Sequence, residues 1–154
     1  MTERPGYELP LLLLGAFRQT IETLHETLAE RGFPEARPAH GLALQAIGPD
    51  AVTVSELGRR LGVSKQAAAK TVSRLEAIGY VTRQRDPHDA RAQLVFRSAR
   101  GNAMLLETAR ILEDQKAALV ATLGAERYGA TIDGLRQIAK GASLVDVLAW
   151  LQDD

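Results

Sequence analysis

The sequence contains no cysteine among its 154 residues. This absence excludes a disulfide framework, a zinc-finger thiolate set and a thiol-based redox sensor. The three histidines, His25, His40 and His88, are dispersed and do not have the spacing of metal ligands. We therefore expect neither a metal site nor a bound cofactor.

Long apolar runs are missing as well. Residues 9–14 form an apolar run that is far too short to span a bilayer, and it lacks the basic leader and cleavage site of a secretion signal. We therefore expect a cytoplasmic protein. Hydrophobic residues make up 45% of the chain, which argues against disorder, and the length suits one compact domain.

The chain has no net charge, because nineteen Lys and Arg balance nineteen Asp and Glu. These charges are nevertheless distributed unevenly. Residues 54–100 hold ten basic and four acidic side chains, a net charge of +6, whereas residues 1–53 and 101–154 each carry −3. A basic segment between acidic flanks indicates a polyanionic partner for the central part of the chain.

Two short helices are predicted in this basic segment. Thr53 and Glu56 have the spacing of a capping box, in which each side chain accepts from the other's backbone amide, and they start a helix that stops at Gly62. Ser64 then suits the N-cap of a second helix over residues 65–78. Only a few residues separate the two helices, which is the spacing of a helix-turn-helix.

The second helix has an apolar face and a face suited to DNA. Ala68, Val72 and Leu75 recur at helical spacing and point inward. The opposite face combines basic, hydrogen-bonding and small side chains. Gln66 suits adenine, lysine suits guanine or phosphate, and alanine suits the thymine methyl group, so this face fits a major groove. A solvated helix with scattered charges does not explain so much alanine beside so little glutamate.

A basic hairpin follows the second helix. Residues 80–85 and 93–97 are predicted as two strands joined by a loop rich in turn-forming residues. We predict that Arg91, in this loop, enters a minor groove, where negative potential attracts arginine. Asp89 is placed to hold the Arg91 side chain by a charge-assisted hydrogen bond. The predicted DNA-binding residues are Ser64, Lys65, Gln66, Ala67, Ala69, Lys70, Ser73, Arg74, Arg83, Arg85, Asp89 and Arg91.

Further helices are predicted on both sides of this basic lobe. The predicted elements are helices at about residues 9–31, 41–47 and 98–123, a helix from 125 that is interrupted near Gly141, and a short strand at 50–52. The first helix has apolar residues at alternating spacings of three and four, namely Leu14, Phe17, Ile21, Leu24 and Leu28. This pattern fits equally a helix packed along another helix and an amphipathic helix lying on its own core.

Apolar helices at both ends of the chain favour a dimer. The last predicted helix has a one-sided apolar stripe made of Leu144, Val147, Leu148 and Leu151. A monomer of this size has little reason to place such helices on either side of a central DNA-binding lobe, whereas an interface between two copies would bury them. We therefore predict a homodimer.

These elements define a fold class and a division of the chain. We predict a mainly α protein with a small β-hairpin wing, an α+β arrangement. Residues 34–100 form a winged helix-turn-helix lobe, residues 101–124 a long linking helix, and residues 1–33 with 125–154 a helical dimerisation region.

The arrangement resembles the MarR family of bacterial transcriptional regulators over nearly the whole chain. The most specific matches are residues 55–64 (SELGRRLGVS), 75–81 (LEAIGYV) and 85–91 (RDPHDAR). The resemblance implies a wing arginine, Arg91, held by Asp89 and inserted into the minor groove. It also implies a two-fold dimer that reads a pseudo-palindromic operator, with half-sites about 34 Å apart.

The leading functional hypothesis is a sequence-specific transcriptional regulator, a repressor that a small ligand releases from DNA. The resemblance implies an aromatic or phenolic ligand bound between the dimer helices and the DNA-binding lobe, with Phe17, His25, His40 and Trp150 as candidate lining residues. An architectural or adaptor DNA-binding protein without a ligand response is the alternative. We expect no enzymatic activity, because Asp86, His88 and Asp89 sit in a turn without a nucleophile motif or phosphate loop.

Overall fold

The computed structural model of the protein describes residues 4–141. This part is mainly helical with a small antiparallel sheet, which confirms the predicted fold class. The elements in chain order are α1 (Glu8–Glu30), α2 (Pro38–Ile47), β1 (Val52–Thr53), α3 (Val54–Leu61), α4 (Lys65–Ala77), β2 (Val81–Arg85), β3 (Gln93–Arg97), α5 (Ala99–Leu123) and α6 (Ala125–Ala139). No helix within residues 4–141 is long and apolar enough to cross a membrane. The predicted C-terminal apolar stripe lies outside the described residues.

The sheet has the strand order β1-β3-β2, and both pairings are antiparallel. Val52 pairs with Val95 in the middle of β3, while Val81 pairs with Arg97 at its end. The strand predicted at residues 50–52 is therefore shifted, because Val52 and Val95 meet in the core and set the register. The predicted start of β2 at Tyr80 is also wrong. The Tyr80 amide donates to the Leu75 carbonyl at the end of α4, 2.8 Å away.

One apolar core joins most of the elements. Its largest fully buried side chains are Tyr80, Leu28, Leu44, Ile47, Leu57, Leu75, Met104, Val72, Val81 and Val95. Apart from Tyr80, which lies between α4 and β2, they come from five of the six described helices and from strands β2 and β3, so α1 and α5 share a core with the helix-turn-helix. The helix-turn-helix is thus packed directly on the long helices.

The apolar stripe of α1 is divided along the helix. Leu24 and Leu28 are 5% and 1% exposed and pack in the protein's own core. Leu14 and Phe17 are 62% and 49% exposed. The interpretation as an amphipathic helix on its own core therefore holds for the C-terminal half of α1, whereas the apolar side chains of the N-terminal half are exposed.

Helix α2 begins three residues earlier than predicted. Pro38 occupies its first turn, where the missing amide hydrogen costs nothing, and Arg37 before it is extended, as a residue preceding proline prefers. The Arg37 amide donates to Nδ1 of His40, 3.2 Å away. His40 is therefore part of the N-terminal cap of α2.

Helix α5 starts against the backbone of Tyr80. The Ser98 hydroxyl caps α5 by accepting from the Gly101 amide at 3.0 Å, and the Ser98 amide donates to the Tyr80 carbonyl at 2.9 Å. A Cβ atom on Gly101 would lie 2.2 Å from that carbonyl oxygen. Only glycine fits at this position.

We expect Gly101→Ala to destabilise the protein by about 1–3 kcal/mol, because the backbone of Tyr80 must move to admit a methyl group. The matched control is Gly41→Ala in α2, where an added Cβ has no heavy atom within 4 Å. This control should stabilise the protein by about 0.5–1 kcal/mol through helix propensity. Urea unfolding at a fixed protein concentration measures both changes. Equal effects of the two substitutions would contradict the close contact.

Candidate nucleic-acid interface

The turn between α3 and α4 is held by local hydrogen bonds. The Glu56 amide donates to the Thr53 hydroxyl at 3.1 Å, and the Ala67 amide donates to the Ser64 hydroxyl at 3.1 Å, so both predicted N-caps are confirmed. Gly62 ends α3 in the left-handed region with φ of 68°, a conformation that glycine adopts without a steric penalty. The two helices are thereby set at a fixed angle by three intervening residues.

The second half of the predicted capping box is wrong. The Glu56 carboxylate does not bond back to the Thr53 amide but accepts from Arg59 at 2.6 Å and from Arg60 at 3.0 Å. These two guanidinium groups lower the pKa of Glu56 to about 2. Arg60 also donates to the carbonyls of Ala46 and Ile47, so it links α3 to the C-terminal end of α2. Two of the basic residues of this segment therefore serve the fold.

Helix α4 presents the outward face that the sequence predicts. Ala68, Val72 and Leu75 on the other face are completely buried. The predicted outward residues are exposed, except that Ala69 is half-buried. Within residues 4–141, the side chains of Lys65, Gln66, Lys70 and Arg74 form no hydrogen bond or ion pair with the protein. Their polar groups are therefore available to an external partner.

The wing loop is ordered by two aspartates. Asp86 accepts from the His88 amide at 2.8 Å, and Asp89 accepts from the Arg91 amide at 2.9 Å. The predicted bond from Asp89 to the Arg91 guanidinium is wrong in this structure, because the Asp89 oxygen takes the backbone amide instead. Both aspartates act as turn formers. Arg91 and Arg85 are exposed and have no acidic partner in the described part of the chain.

The other two arginines of the hairpin donate to groups of the protein itself. Arg83 donates to the Glu76 carboxylate at 2.5 Å, which joins β2 to α4 and lowers the pKa of Glu76. Arg97 donates from Nε to the Leu44 carbonyl at 2.7 Å, and burial lowers its pKa. Arg83 was among the predicted DNA-binding residues, but its charge is matched by Glu76.

The ten basic side chains of residues 54–100 thus form two groups of five. One group is engaged within the fold and consists of Arg59, Arg60, Arg83, Arg97 and Arg100, the last of which pairs with Glu35. The other group consists of Lys65, Lys70, Arg74, Arg85 and Arg91 and has no acidic partner in residues 4–141. These five, called here the open cations, lie on α4 and the wing, which the Arg83–Glu76 pair holds together.

A cavity of about 270 Å³ lies between α1, α2 and α5. Of the four predicted ligand-lining residues, Phe17 and His25 border this cavity. His40 does not border it, because its ring packs edge-on against Tyr80 with the centroids 6.1 Å apart, and burial lowers its pKa. Trp150 lies outside the described residues. The full lining is Phe17, Ile21, Leu24, His25, Leu28, Arg37, Pro38, Gly41, Leu42, Gln45, Met104, Leu105, Thr108 and Leu112.

The sequence analysis missed the contribution of α2 and α5 to this cavity. Leu105 and Leu112 are seven residues apart, a spacing that places both on one face of a helix. That spacing was a usable signal for α5. Nothing in the local pattern shows, however, that α2 closes the same space.

The comparisons with known proteins agree with this geometry. Residues 37–92, from the cap of α2 to the wing loop, match the sequence model of the MarR family. The matched segment, about a third of the chain, is thus similar to the MarR family. The family match contains both helices of the helix-turn-helix and the first strand of the wing hairpin, and therefore all five open cations.

Individual relatives extend the likeness to the rest of the fold. The HTH-type transcriptional regulator YcgE of Bacillus subtilis is 40% identical over 52 residues, which make up 34% of this chain and 32% of YcgE. The match thus spans about a third of that relative. The transcriptional regulator Tm0710 of Thermotoga maritima has 26% identity, a TM-score of 0.60 and coverage of 86% of this chain and 92% of its own. FabT of Streptococcus pneumoniae, solved in complex with DNA, has 18% identity, a TM-score of 0.73 and coverage of 88% and 96%.

We expect Arg91→Ala to weaken binding to duplex DNA by about 1–3 kcal/mol and to reduce the slope of log affinity against log salt by about one. The reason is that Arg91 is exposed at the wing and has no acidic partner in the described structure. Arg136→Ala in α6 is the control, because Arg136 is equally basic and exposed but belongs to a different part of the fold. Fluorescence anisotropy at several salt concentrations measures both variants. Unchanged affinity for Arg91→Ala would remove this residue from the interface.

Proposed function

We propose that the protein is a sequence-specific, DNA-binding transcriptional regulator. The observation that carries the proposal is the set of five open cations on α4 and the wing. A basic surface without internal acidic partners neutralises phosphate charge and releases counterions, which supplies most of the affinity for DNA. The acidic flanks of the chain would keep the remaining surface away from the duplex.

Helix α4 is proposed as the recognition helix in the major groove. Gln66 can bond to the N6 and N7 atoms of adenine, and Lys65 or Lys70 can donate to guanine or to phosphate. Ala67 and Ala69 are small enough to let the helix approach the base edges. The names of the relatives support this role, since YcgE is described as an uncharacterized HTH-type transcriptional regulator and FabT was crystallised with DNA.

The wing is proposed to contact the neighbouring minor groove through Arg91. The Arg83–Glu76 ion pair supports this arrangement, because it fixes β2 relative to α4. The Asp89 carboxylate orders the loop through the Arg91 amide and leaves the guanidinium exposed. Asp89 is therefore a positioning residue for Arg91.

A two-fold homodimer is proposed from the exposed apolar side chains of the long helices. They are Tyr7, Leu9, Leu11, Leu12, Leu13, Leu14 and Phe17 in and beside α1, Leu106, Leu112, Leu119 and Leu123 in α5, and Ile138 in α6. So much exposed apolar surface is unusual on a monomer. We assign dimerisation to residues 1–33 and 125–154, DNA binding to 34–100 and the link to 101–124. The two lobes would then read half-sites about 34 Å apart.

Repression relieved by a small ligand is the proposed mode of regulation. The cavity between α1, α2 and α5 supports it, because its walls come from α1 of the proposed dimer region, from the linking helix α5 and from α2 of the DNA-binding lobe. A ligand in this position contacts both parts at once. It can therefore favour one relative arrangement of the two lobes and change the fit to both half-sites.

The function is tested by selecting binding sequences from random duplex DNA. We expect one pseudo-palindromic consensus and a short footprint upstream of a gene, because two recognition helices read two half-sites. Gln66→Ala should change the preference at one position in each half-site, while Arg136→Ala should return the original consensus. Extended protection without a consensus would favour an architectural or adaptor protein.

The dimer is tested by light scattering at micromolar concentration. We expect a mass of two chains for the wild type and a shift toward one chain for Leu14→Glu, because a carboxylate on an apolar interface loses its hydration. Gln19→Glu places the same carboxylate at an exposed polar position of α1 and should remain dimeric. A wild-type monomer would overturn the proposed dimer and leave DNA binding by one lobe to be tested separately.

A further inference from the structure

Arg100, in the first turn of α5, is bonded to the segment that joins α1 to α2. This segment, residues 31–37, is called here the α1–α2 connection. The Arg100 side chain donates from Nη2 to the Gly32 carbonyl at 3.0 Å and from Nε to the Glu35 carboxylate at 3.2 Å. One side chain thus ties the connection to the start of α5.

The Arg100 guanidinium also lies over two aromatic rings of the core. Its central carbon is 5.0 Å from the ring centroid of Phe33 and 5.7 Å from that of Tyr80. Phe33 belongs to the α1–α2 connection, and Tyr80 lies between α4 and β2. Both residues are buried, whereas 42% of the Arg100 side chain is exposed. Arg100 therefore covers the point where the connection, the end of α4 and the start of α5 meet.

These contacts use properties that arginine has and lysine lacks. A guanidinium is planar and donates in several fixed directions, so it can bond to two acceptors while its face lies against a ring. The hydrogen bond from Arg100 lowers the pKa of Glu35, so the two opposite charges are matched. An ion pair at an exposed surface adds little stability. We therefore expect the contribution of Arg100 to be geometric.

The contacts of Arg100 lie where the chain crosses between the long helices and the DNA-binding lobe. The chain enters the lobe through the α1–α2 connection and leaves it at Ser98, the N-cap of α5. Arg100 joins these two crossings directly. Rotation of the lobe relative to α1 would separate Gly32 from the Tyr80 ring and break the contacts that Arg100 makes with both.

We propose that Arg100 is a positioning residue, which holds the DNA-binding lobe at one angle to the long helices and thereby sets the half-site spacing that the protein prefers. This inference rests on the proposed dimeric, DNA-reading function and adds a determinant of its specificity. In a two-fold dimer, a change in the angle of each lobe changes the distance between the two recognition helices. The contacts of one lobe with its own half-site remain the same.

The first test measures affinity as a function of half-site spacing. Fluorescence anisotropy compares the selected duplex with duplexes whose half-sites are moved together or apart by one or two base pairs, and with a single half-site. We expect the wild type to prefer the selected spacing at least about tenfold, because each recognition helix must meet its own major groove. Arg100→Gln should reduce this ratio at least about threefold and leave the affinity for the single half-site unchanged within about twofold.

The matched control is Arg110→Gln. Arg110 is also an exposed arginine of α5, but it pairs with Glu107 on the same helix and so joins no two elements. This variant should keep the wild-type spacing ratio. A wild-type ratio in Arg100→Gln would overturn the proposal. An equal loss of affinity at every spacing and at the single half-site would overturn it as well, because it would indicate damage to the lobe or a direct contact with DNA.

Two conservative variants separate geometry from charge. Arg100→Lys keeps the positive charge and can pair with Glu35, but it cannot also bond to Gly32 and lie flat on the rings. Its spacing ratio should therefore fall as in Arg100→Gln. Glu35→Gln removes the ion pair but keeps an acceptor oxygen for Arg100, so most of the ratio should remain. Full rescue by lysine would reduce the role of Arg100 to its charge and overturn the positioning role.

A second readout requires no DNA. The chain has no cysteine, so spin labels can be attached at Gln19→Cys in α1 and Ala90→Cys in the wing loop, both exposed positions. Mixing with excess unlabelled protein restricts the measured distance to one chain. Pulsed electron spin resonance should give a narrow distance distribution in the Arg100 background and a broader or shifted one with Arg100→Gln. An unchanged distribution would overturn the proposal.

The two readouts separate this inference from the proposed function. If the wild type reads one consensus and Arg100→Gln keeps its spacing ratio, the inference is overturned and the proposed function stands. If the wild type binds no duplex, the proposed function fails and the role in half-site spacing is overturned with it. The spin-label distances then still decide whether Arg100 holds the angle of the lobe. Thermal unfolding verifies that each variant is folded.

Discussion

Tyr80 and Gly101 pack backbone against backbone where α4, the sheet and α5 meet. The Tyr80 amide completes the end of α4, and its carbonyl accepts from Ser98 at the start of α5. Its ring lies in the core near Phe33 and His40, and burial raises the pKa of its phenol to about 12. One residue thus fixes the end of α4, the entry to the wing and the beginning of α5. Their relative positions depend on this contact.

The charged side chains next to this contact fall into two groups. One group forms ion pairs within the lobe, and the other faces outward. Ion pairs at an exposed surface contribute little to stability, so their value here is geometric. Glu56 orients Arg59 and Arg60 along α3, and Glu76 keeps Arg83 beside α4. The aspartates of the wing loop bond to backbone amides and form no ion pair with Arg85 or Arg91. An excess of positive charge remains on α4 and the wing without being cancelled by the lobe's own acids.

Local patterns predicted most of the helices and their caps. The periodicity of α4, the hydroxyl caps at Thr53 and Ser64 and the beginning of α5 depend on residues within a few positions of one another, and the structure confirms them. The predictions failed where a distant residue or a competing hydrogen-bond partner determines which contact a side chain makes. The Glu56 carboxylate was assigned to a capping box because the sequence does not show which of two local donors it prefers. The role of Arg97 depends on the Leu44 carbonyl, fifty-three positions away in the chain.

The candidate site was predictable to a similar extent. The outward face of α4 follows from helical geometry, so its residues were named from spacing alone. The division of the basic residues into engaged and open groups could not be predicted from spacing, since Arg83 differs from Arg85 in having Glu76 within reach. The cavity was the least predictable feature, because α5 is far in sequence from α1 and α2, which enclose the cavity together with it. Phe17 and His25 were named as candidates under the family resemblance. The spacing of Leu105 and Leu112 places both on one face of α5 but does not show that α1 and α2 close the same space.

The leucines at the start of α1 impose a condition on assembly. Successive residues of an α-helix are rotated by about 100°, so Leu11, Leu12, Leu13 and Leu14 project in nearly all directions around the axis. A flat surface on one side can cover only some of them. A partner that removes them all from water must therefore surround the helix. If the proposed dimer covers these side chains, its separated protomers would expose them, and the midpoint of thermal unfolding would rise with protein concentration, as it does when folding and association are coupled.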